Sequence, residues 1–309
     1  MRLLRFNALT EPVSRARTGV LLAGDIVGDL RAGLAACLAE EDKDAHAREI
    51  AGLRVPPDVR QILHAGVPAR RAIERAAGWL GARHVKDPAS KGLDGEPLFV
   101  PLAGARLHNP LKPGRLIVVE GNAAGGKPAA RDRSPASFIG PVRDISKPKA
   151  VDGLAYGTGL AIVIGRSCHG IDARDAPGTV AGYMVANEVD EQPNAAGGGV
   201  AGDVAFHRCI IGPCLVDAAD APDLRSLRLV TRVNGKVVQS GTADLPLSVG
   251  ELVAALSRHG LEAGDTIVTG MLSQREPSGT AAVPFLRTGD LLESEIEGLG
   301  VMRNRVADA

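Results

Sequence analysis

Aromatic residues are scarce at 3% of the chain, with one tryptophan, two tyrosines and five phenylalanines. A surface that stacks nucleobases has little to be built from. Net charge is also absent: 36 basic and 36 acidic side chains cancel, and no basic block stands out. Nothing therefore favours nucleic acid or an anionic membrane as a partner. No apolar run approaches the ~18 residues that span a bilayer. The opening MRLLRFNALTEPVSRAR turns polar within a few residues and lacks the apolar core of a signal peptide. The four cysteines, Cys37, Cys168, Cys209 and Cys214, fall in no metal-ligand spacing. Reduced thiols in a cytoplasmic protein are the expectation.

What is present is an ordinary globular composition over 309 residues, 45% hydrophobic and 23% charged. That length suits a small domain followed by a larger one. Residues 1–104 read as a small mixed α/β leader domain. It has a short strand at Leu3–Phe6 and a hairpin over 18–27 that turns at Gly24-Asp25. Helical patterns follow at Leu30–Glu40, Pro57–Ala65 and Ala69–Leu80, the last with Ile73, Ala76, Ala77 and Leu80 on one face. His46, His64 and His84 read as surface or capping residues. Proline- and glycine-rich sequence connects this part to residues 105–309, with a short strand at Leu98–Leu102.

RLIVVE, Arg115–Glu120, predicts a buried strand. It runs into Gly121-Asn122-Ala123-Ala124-Gly125-Gly126-Lys127, the spacing of a phosphate-binding loop. The next residue is Pro128, so the hydroxyl that would hold magnesium is missing. No later strand ending in aspartate supplies the second magnesium partner. A glycine loop is the better description than a nucleotide site.

The stretch Tyr156–Gln192 organises the remainder. Leu160–Ile164 predicts a buried strand, Arg166–Gly170 a turn, and a short helix is expected from about Asp172. A second apolar segment, Tyr183–Ala186, ends in Asn187, Glu188, Asp190, Glu191 and Gln192. Polar side chains leaving a buried strand are a common way to fix a site, and equally a common solvated strand end. Beyond it the pattern is mostly β. There is a hairpin at Asn234-Gly235 and a helix over 246–259 capped by Ser248. Strands follow at Thr266–Thr269, 290–296 and 301–306. The expected class is α+β, mostly β, with a rolled-up, barrel-like mixed sheet.

The order of motifs over residues 105–306 resembles the fumarylacetoacetate hydrolase family. The matching pieces are SFIGP at 137–141, LAIVIG at 160–165, VAGYMVANEV at 180–189 and the VNGKVVQSG hairpin. LEAGDTIVTG and LRTGDLLESEIEGLG complete the set. The resemblance implies a rolled sheet, an expected homodimer, and chemistry on small oxo-acids or diketones with a divalent cation, usually magnesium. It also implies site positions that this chain has changed. The family's acidic pair before the LAxVIG strand falls on Gly157 and Gly159, and its third carboxylate on Glu188. Its lysine falls on Asp203, its glycine-loop histidine near Gly125 or Gly126, a turn threonine on Met271 and an arginine on Gln192. A hard cation needs several oxygen ligands, and two of the anions are gone. No cofactor is therefore expected, although a divalent cation, magnesium or a transition metal, remains open.

Replacement chemistry is expected in the same cavity. Period two places Asp203, Ala205 and His207 on one strand face. Asp203 and His207 then offer an orienting carboxylate and a general acid/base, with Glu188 a second carboxylate. Asn187, Gln192, Arg131, Arg133 and Met271 are candidate substrate contacts, the arginines for a substrate carboxylate. If a metal site were rebuilt, Glu188, Asp203 and His207 would be its ligands, a set suited to a transition metal. Cys168-His169 reads as a surface pair, Cys209 and Cys214 as packing residues. The glycine-rich segments 195–202 and 121–133 read as lids. The expectation is metal-independent acid/base chemistry on a small oxo-acid or β-dicarbonyl metabolite; the alternative is a non-catalytic paralogue that binds a ligand or partners an intact relative.

Overall fold

The computed structural model describes residues 1–119, 128–191, 206–242, 245, 247–270 and 285–309. The fold is mostly β with mixed sheets, as the turn and alternation signals predict. It divides into two compact units, Met1–Lys112 with Cys214–Asp220, and Pro113–Pro213 with Ala221–Ala309. Among the described residues no helix is long and apolar enough to cross a membrane.

The first unit contains strands β1 (Arg2–Ala8), β2 (Arg17–Leu22), β3 (Ile26–Asp29), β4 (Phe99–Pro101) and β5 (Ala105–His108). They pair in the order β4-β3-β2-β1, with β5 also on β1. The three residues between β2 and β3 include Gly24 at φ 73° and Asp25 at φ 54°, a left-handed backbone that glycine and aspartate adopt more readily than bulky residues. Three helices, α1 (Leu30–Cys37), α2 (Ala47–Arg54) and α3 (Val59–Lys86), pack together. α3 is one element across both helical patterns, broken by Gly66 at φ 66° just before Pro68.

The second unit holds two sheets. The first is built from β6 (Leu116–Val119), β7 (Ala130–Arg133), β8 (Phe138–Ile139), β10 (Leu154–Ile164), β11 (Val180–Glu191), β12 (His207–Asp217) and β15 (Thr266–Val268). Its order is β12-β11-β10-β15-β6-β7, with β8 alongside β12. The second contains β9 (Ile145–Lys147), β13 (Arg228–Val233), β14 (Lys236–Thr242), β16 (Leu291–Ile296) and β17 (Gly300–Asp308). These run β14-β13-β16-β17-β9. Helix α4 (Val249–Ser257) starts at Ser248, whose side chain and that of Glu251 cap each other's backbone N–H, a capping box.

β10 and β11 form the longest pairing, eleven positions from Leu154↔Glu191 to Ile164↔Val180. β10 is apolar and almost wholly buried, as a strand covered on both faces must be. One expectation is corrected nearby. No helix begins at Asp172; a single 3-10 turn spans Ala176–Thr179. The Asp172 carbonyl closes a turn by accepting from both Asp175 and Ala176, and Pro177 with Gly178 leaves too little helix-forming sequence to extend it.

Candidate functional site

Strand register decides which side chains meet. Gly157 stands opposite Glu188, Thr158 opposite Asn187, and Gly159 opposite Ala186. Directly opposed residues share a sheet face, and the face alternates along each strand. Gly157, Gly159 and Glu188 therefore lie on one face, Thr158 and Asn187 on the other. Across the next pair, the Glu191 N–H donates to the Phe206 carbonyl, which brings Asp190 beside His207. Their side chains bond, His207 Nδ1 to Asp190 Oδ1 at 2.6 Å.

This bonded pair lies on the face that Gly157, Gly159 and Glu188 share. His207 is 7% exposed, while Asp190 is half-exposed. A carboxylate can only accept, so Nδ1 carries the proton, and in the neutral ring Nε2 presents its lone pair. His207 Nε2 is buried and has no hydrogen-bond partner among the described residues. Buried polar atoms are rarely left so. Cys209, two residues further along β12, is fully buried. Burial first, then the Glu188 and Asp190 carboxylates, hold its thiol well above the usual range, with Arg133 opposing. Glu188, Asp190 and Arg133 thus act on the Cys209 thiol, and Asp190 is also bonded to His207.

The expected site residues separate accordingly. Glu188 shares a strand face with Asp190, the partner of His207, and Arg133 lies near enough to Cys209 to oppose the rise of its thiol. Arg131 is exposed and lies on the same face of β7 as Arg133. Asn187 does not join them: it is wholly buried, and its amide donates to Ser294 Oγ at 2.5 Å and to Thr158 Oγ1 at 3.4 Å. Alternation turns it toward the second sheet, so a core role replaces the expected substrate contact. Asp203, Gln192 and Met271 lie outside the described residues, as do the Gly121–Lys127 loop and residues 195–202. Among the described residues the carboxylate bonded to His207 is Asp190, from the neighbouring strand. Its signal was the acidic cluster after Asn187; its partner was set by a register between strands that no local pattern encodes.

Of the surrounding candidates, His169 is exposed and Cys168 half-buried, and Cys209 and Cys214 are buried thiols. His108, near the glycine loop in sequence, bonds through Nε2 to Asn7 Oδ1 at 2.6 Å.

The described residues do not fit the cation that the family implies. Gly157 and Gly159 offer no donor side chain opposite Glu188, and a Cβ at Gly159 would fall 2.2 Å from the Gly270 carbonyl oxygen. Among the described residues no group of three or more His, Cys, Asp or Glu is placed to hold a metal ion.

The family described as fumarylacetoacetate (FAA) hydrolase C-terminal matches residues 123–307. Oxaloacetate tautomerase FAHD2A, mitochondrial, of Homo sapiens is 34% identical over 181 residues, 55% of this chain and 56% of its own length. Oxaloacetate tautomerase YisK of Bacillus subtilis is 36% identical over 158 residues, covering 50% and 52% respectively. The chain thus spans about half the length of these curated relatives. The solved structure of maleylpyruvate hydrolase from Sphingobium, in complex with manganese (II) and pyruvate, aligns over 100% of both chains. Its TM-score is 0.69 and its identity 22%, a likeness of fold.

Proposed function

The chain belongs to the fumarylacetoacetate hydrolase family, and from that premise we propose that it is an enzyme acting on a small oxo-acid by acid/base chemistry without the usual cation. The carrying observation is the 2.6 Å bond from His207 to Asp190, with Nε2 buried and unpartnered among the described residues. In this role His207 is the general base, Asp190 fixes its tautomer, and Glu188 is a second proton carrier on the same face. Arg133, with Arg131 beside it, holds the substrate carboxylate.

Keto–enol tautomerisation suits these groups best. It moves one proton from the carbon next to the carbonyl and places another on the carbonyl oxygen; no bond between heavy atoms breaks. The names of the two relatives, both oxaloacetate tautomerases, point the same way. Decay of oxaloacetate enol absorbance, followed with chelator-treated protein, tests this. A positioned base contributes about 10²–10⁴-fold, so H207A should lose at least about 100-fold and D190N a smaller factor. Equal rates in H207A and wild type would remove the proposed base.

A non-catalytic role, as binding protein or partner subunit, is favoured by one observation, the backbone packed over Gly159 where the family carries a ligand. Turnover by the purified chain alone would exclude it. Homodimerisation and a cytoplasmic location accompany the proposal as expectations, to be tested by light scattering and by fractionation.

A further inference from the structure

We infer that the family's cation position in this chain is not merely stripped of ligands but closed by backbone, so that restoring the carboxylates would not restore the cation.

Three contacts build the closure. Leu160 is clamped twice to Thr269: its N–H donates to Thr269 Oγ1 at 3.1 Å, and its carbonyl accepts from the Thr269 N–H at 3.0 Å. The clamp holds Gly270 against β10, where its carbonyl oxygen lies 2.2 Å and its carbonyl carbon 3.2 Å from the place a Cβ on Gly159 would occupy. Gly270 has nowhere to retreat. It sits at φ +75°, and its own missing Cβ would lie 2.6 Å from the Val119 carbonyl oxygen. β10, the exit of β15 and the end of β6 are therefore stacked backbone to backbone at a thickness that only two glycines allow.

A flexible side chain in the way could swing aside at little cost; a carbonyl that follows a residue held by two hydrogen bonds to Leu160, and that is backed by another strand, cannot. Gly159 and Gly270 thus form a pair. With no side chain at 159 there is room for the Gly270 carbonyl, and that carbonyl excludes a side chain at 159. Among the described residues, what stands opposite these glycines is Glu188, one carboxylate where a hard cation asks for several oxygen ligands.

The test reads metal and stability, not turnover, so its outcome stands apart from the acid/base proposal. Chelator-treated full-length protein is titrated with Mn²⁺, and the free-ion signal is followed by electron paramagnetic resonance. The wild type and G157E/G159E should both leave the equimolar signal undiminished. Misfolding of the double variant is also an expected result of the closure, so a smaller change is needed alongside it. G159A adds only a Cβ and should lower Tm by at least about 4 °C. G178A, where a Cβ would meet nothing within 4 Å, serves as the control and should leave Tm in place. The inference is overturned by stoichiometric Mn²⁺ binding to the wild type that E188Q abolishes. It is equally overturned by binding to a folded G157E/G159E protein, or by a G159A variant as stable as the wild type.

Discussion

His207 shows what a residue can reveal by itself and what it cannot. Alternation along its own strand predicts a histidine on one face with Asp203, because a period of two is a local property. The carboxylate it meets is Asp190 on β11, at 2.6 Å, and that meeting depends on how two strands separated by many residues align. Nothing in either segment states the alignment. The cysteines were easier. Cys209 and Cys214 are buried, as small apolar packing requires; Cys37 is buried as well, and Cys168, read as a surface residue, is half-buried. Burial, then a hydrogen bond with Glu41, raises the Cys37 thiol to about 11, and burial raises Cys214 to about 11. A raised pKa keeps the neutral, unreactive thiol far into alkaline solution, since the thiolate is the nucleophile. At pH 8 Ellman's reagent should therefore label one thiol quickly in the native protein, Cys168, and four after denaturation. Of the slow thiols, Cys37 and Cys214 should quicken only as pH nears 11. Two or more fast native thiols would contradict this assignment.

At the scale of elements, the hairpins and α4 were legible because their signals are local: Asn234 at φ 51° with Gly235 at φ 79°, and Ser248 with Glu251 at a helix start. The face each strand presents to a second sheet was not. Asn187 lies in a polar cluster along the chain, yet in space it joins Thr158, Thr231 and Ser294, all at least 98% buried, between the two sheets of its unit. Thr158 and Thr231 hydroxyls bond at 2.6 Å, and the Asn187 amide links Thr158 to Ser294. This network fixes β10 and β11 against β13 and β16, and so sets where Glu188 and Asp190 emerge on the opposite face. N187A removes two donated bonds and leaves buried hydroxyls short of a partner, at a cost of about 1–3 kcal/mol. Urea unfolding should show the midpoint fall without a change in slope. A variant with full stability and only a raised KM would return Asn187 to the substrate site.

At the scale of the whole molecule, a boundary drawn along the sequence misses that the first unit is assembled from two pieces of chain, Met1–Lys112 and Cys214–Asp220. The second piece is the end of β12, where Leu3 pairs with Leu215 and Arg2 with Val216. Arg70 Nη1 also reaches Asp217 Oδ2 at 2.5 Å. Composition registers a leader domain but cannot show that a later strand completes it, because strand pairing across two hundred residues leaves no periodic trace. The consequence is a failure of the obvious truncation. A fragment of residues 113–309 keeps Cys214, Leu215 and Val216, each at most 4% exposed in the full chain, but loses β1 to cover them. An unpaired apolar strand edge invites aggregation. The fragment should elute as aggregates on size exclusion, and co-expression with residues 1–112 should recover a soluble complex, because β1 restores the missing ladder. A monodisperse fragment as heat-stable as the full chain would show instead that Cys214–Asp220 folds without the first piece. The division would then have to be redrawn with all of β12 in the second unit.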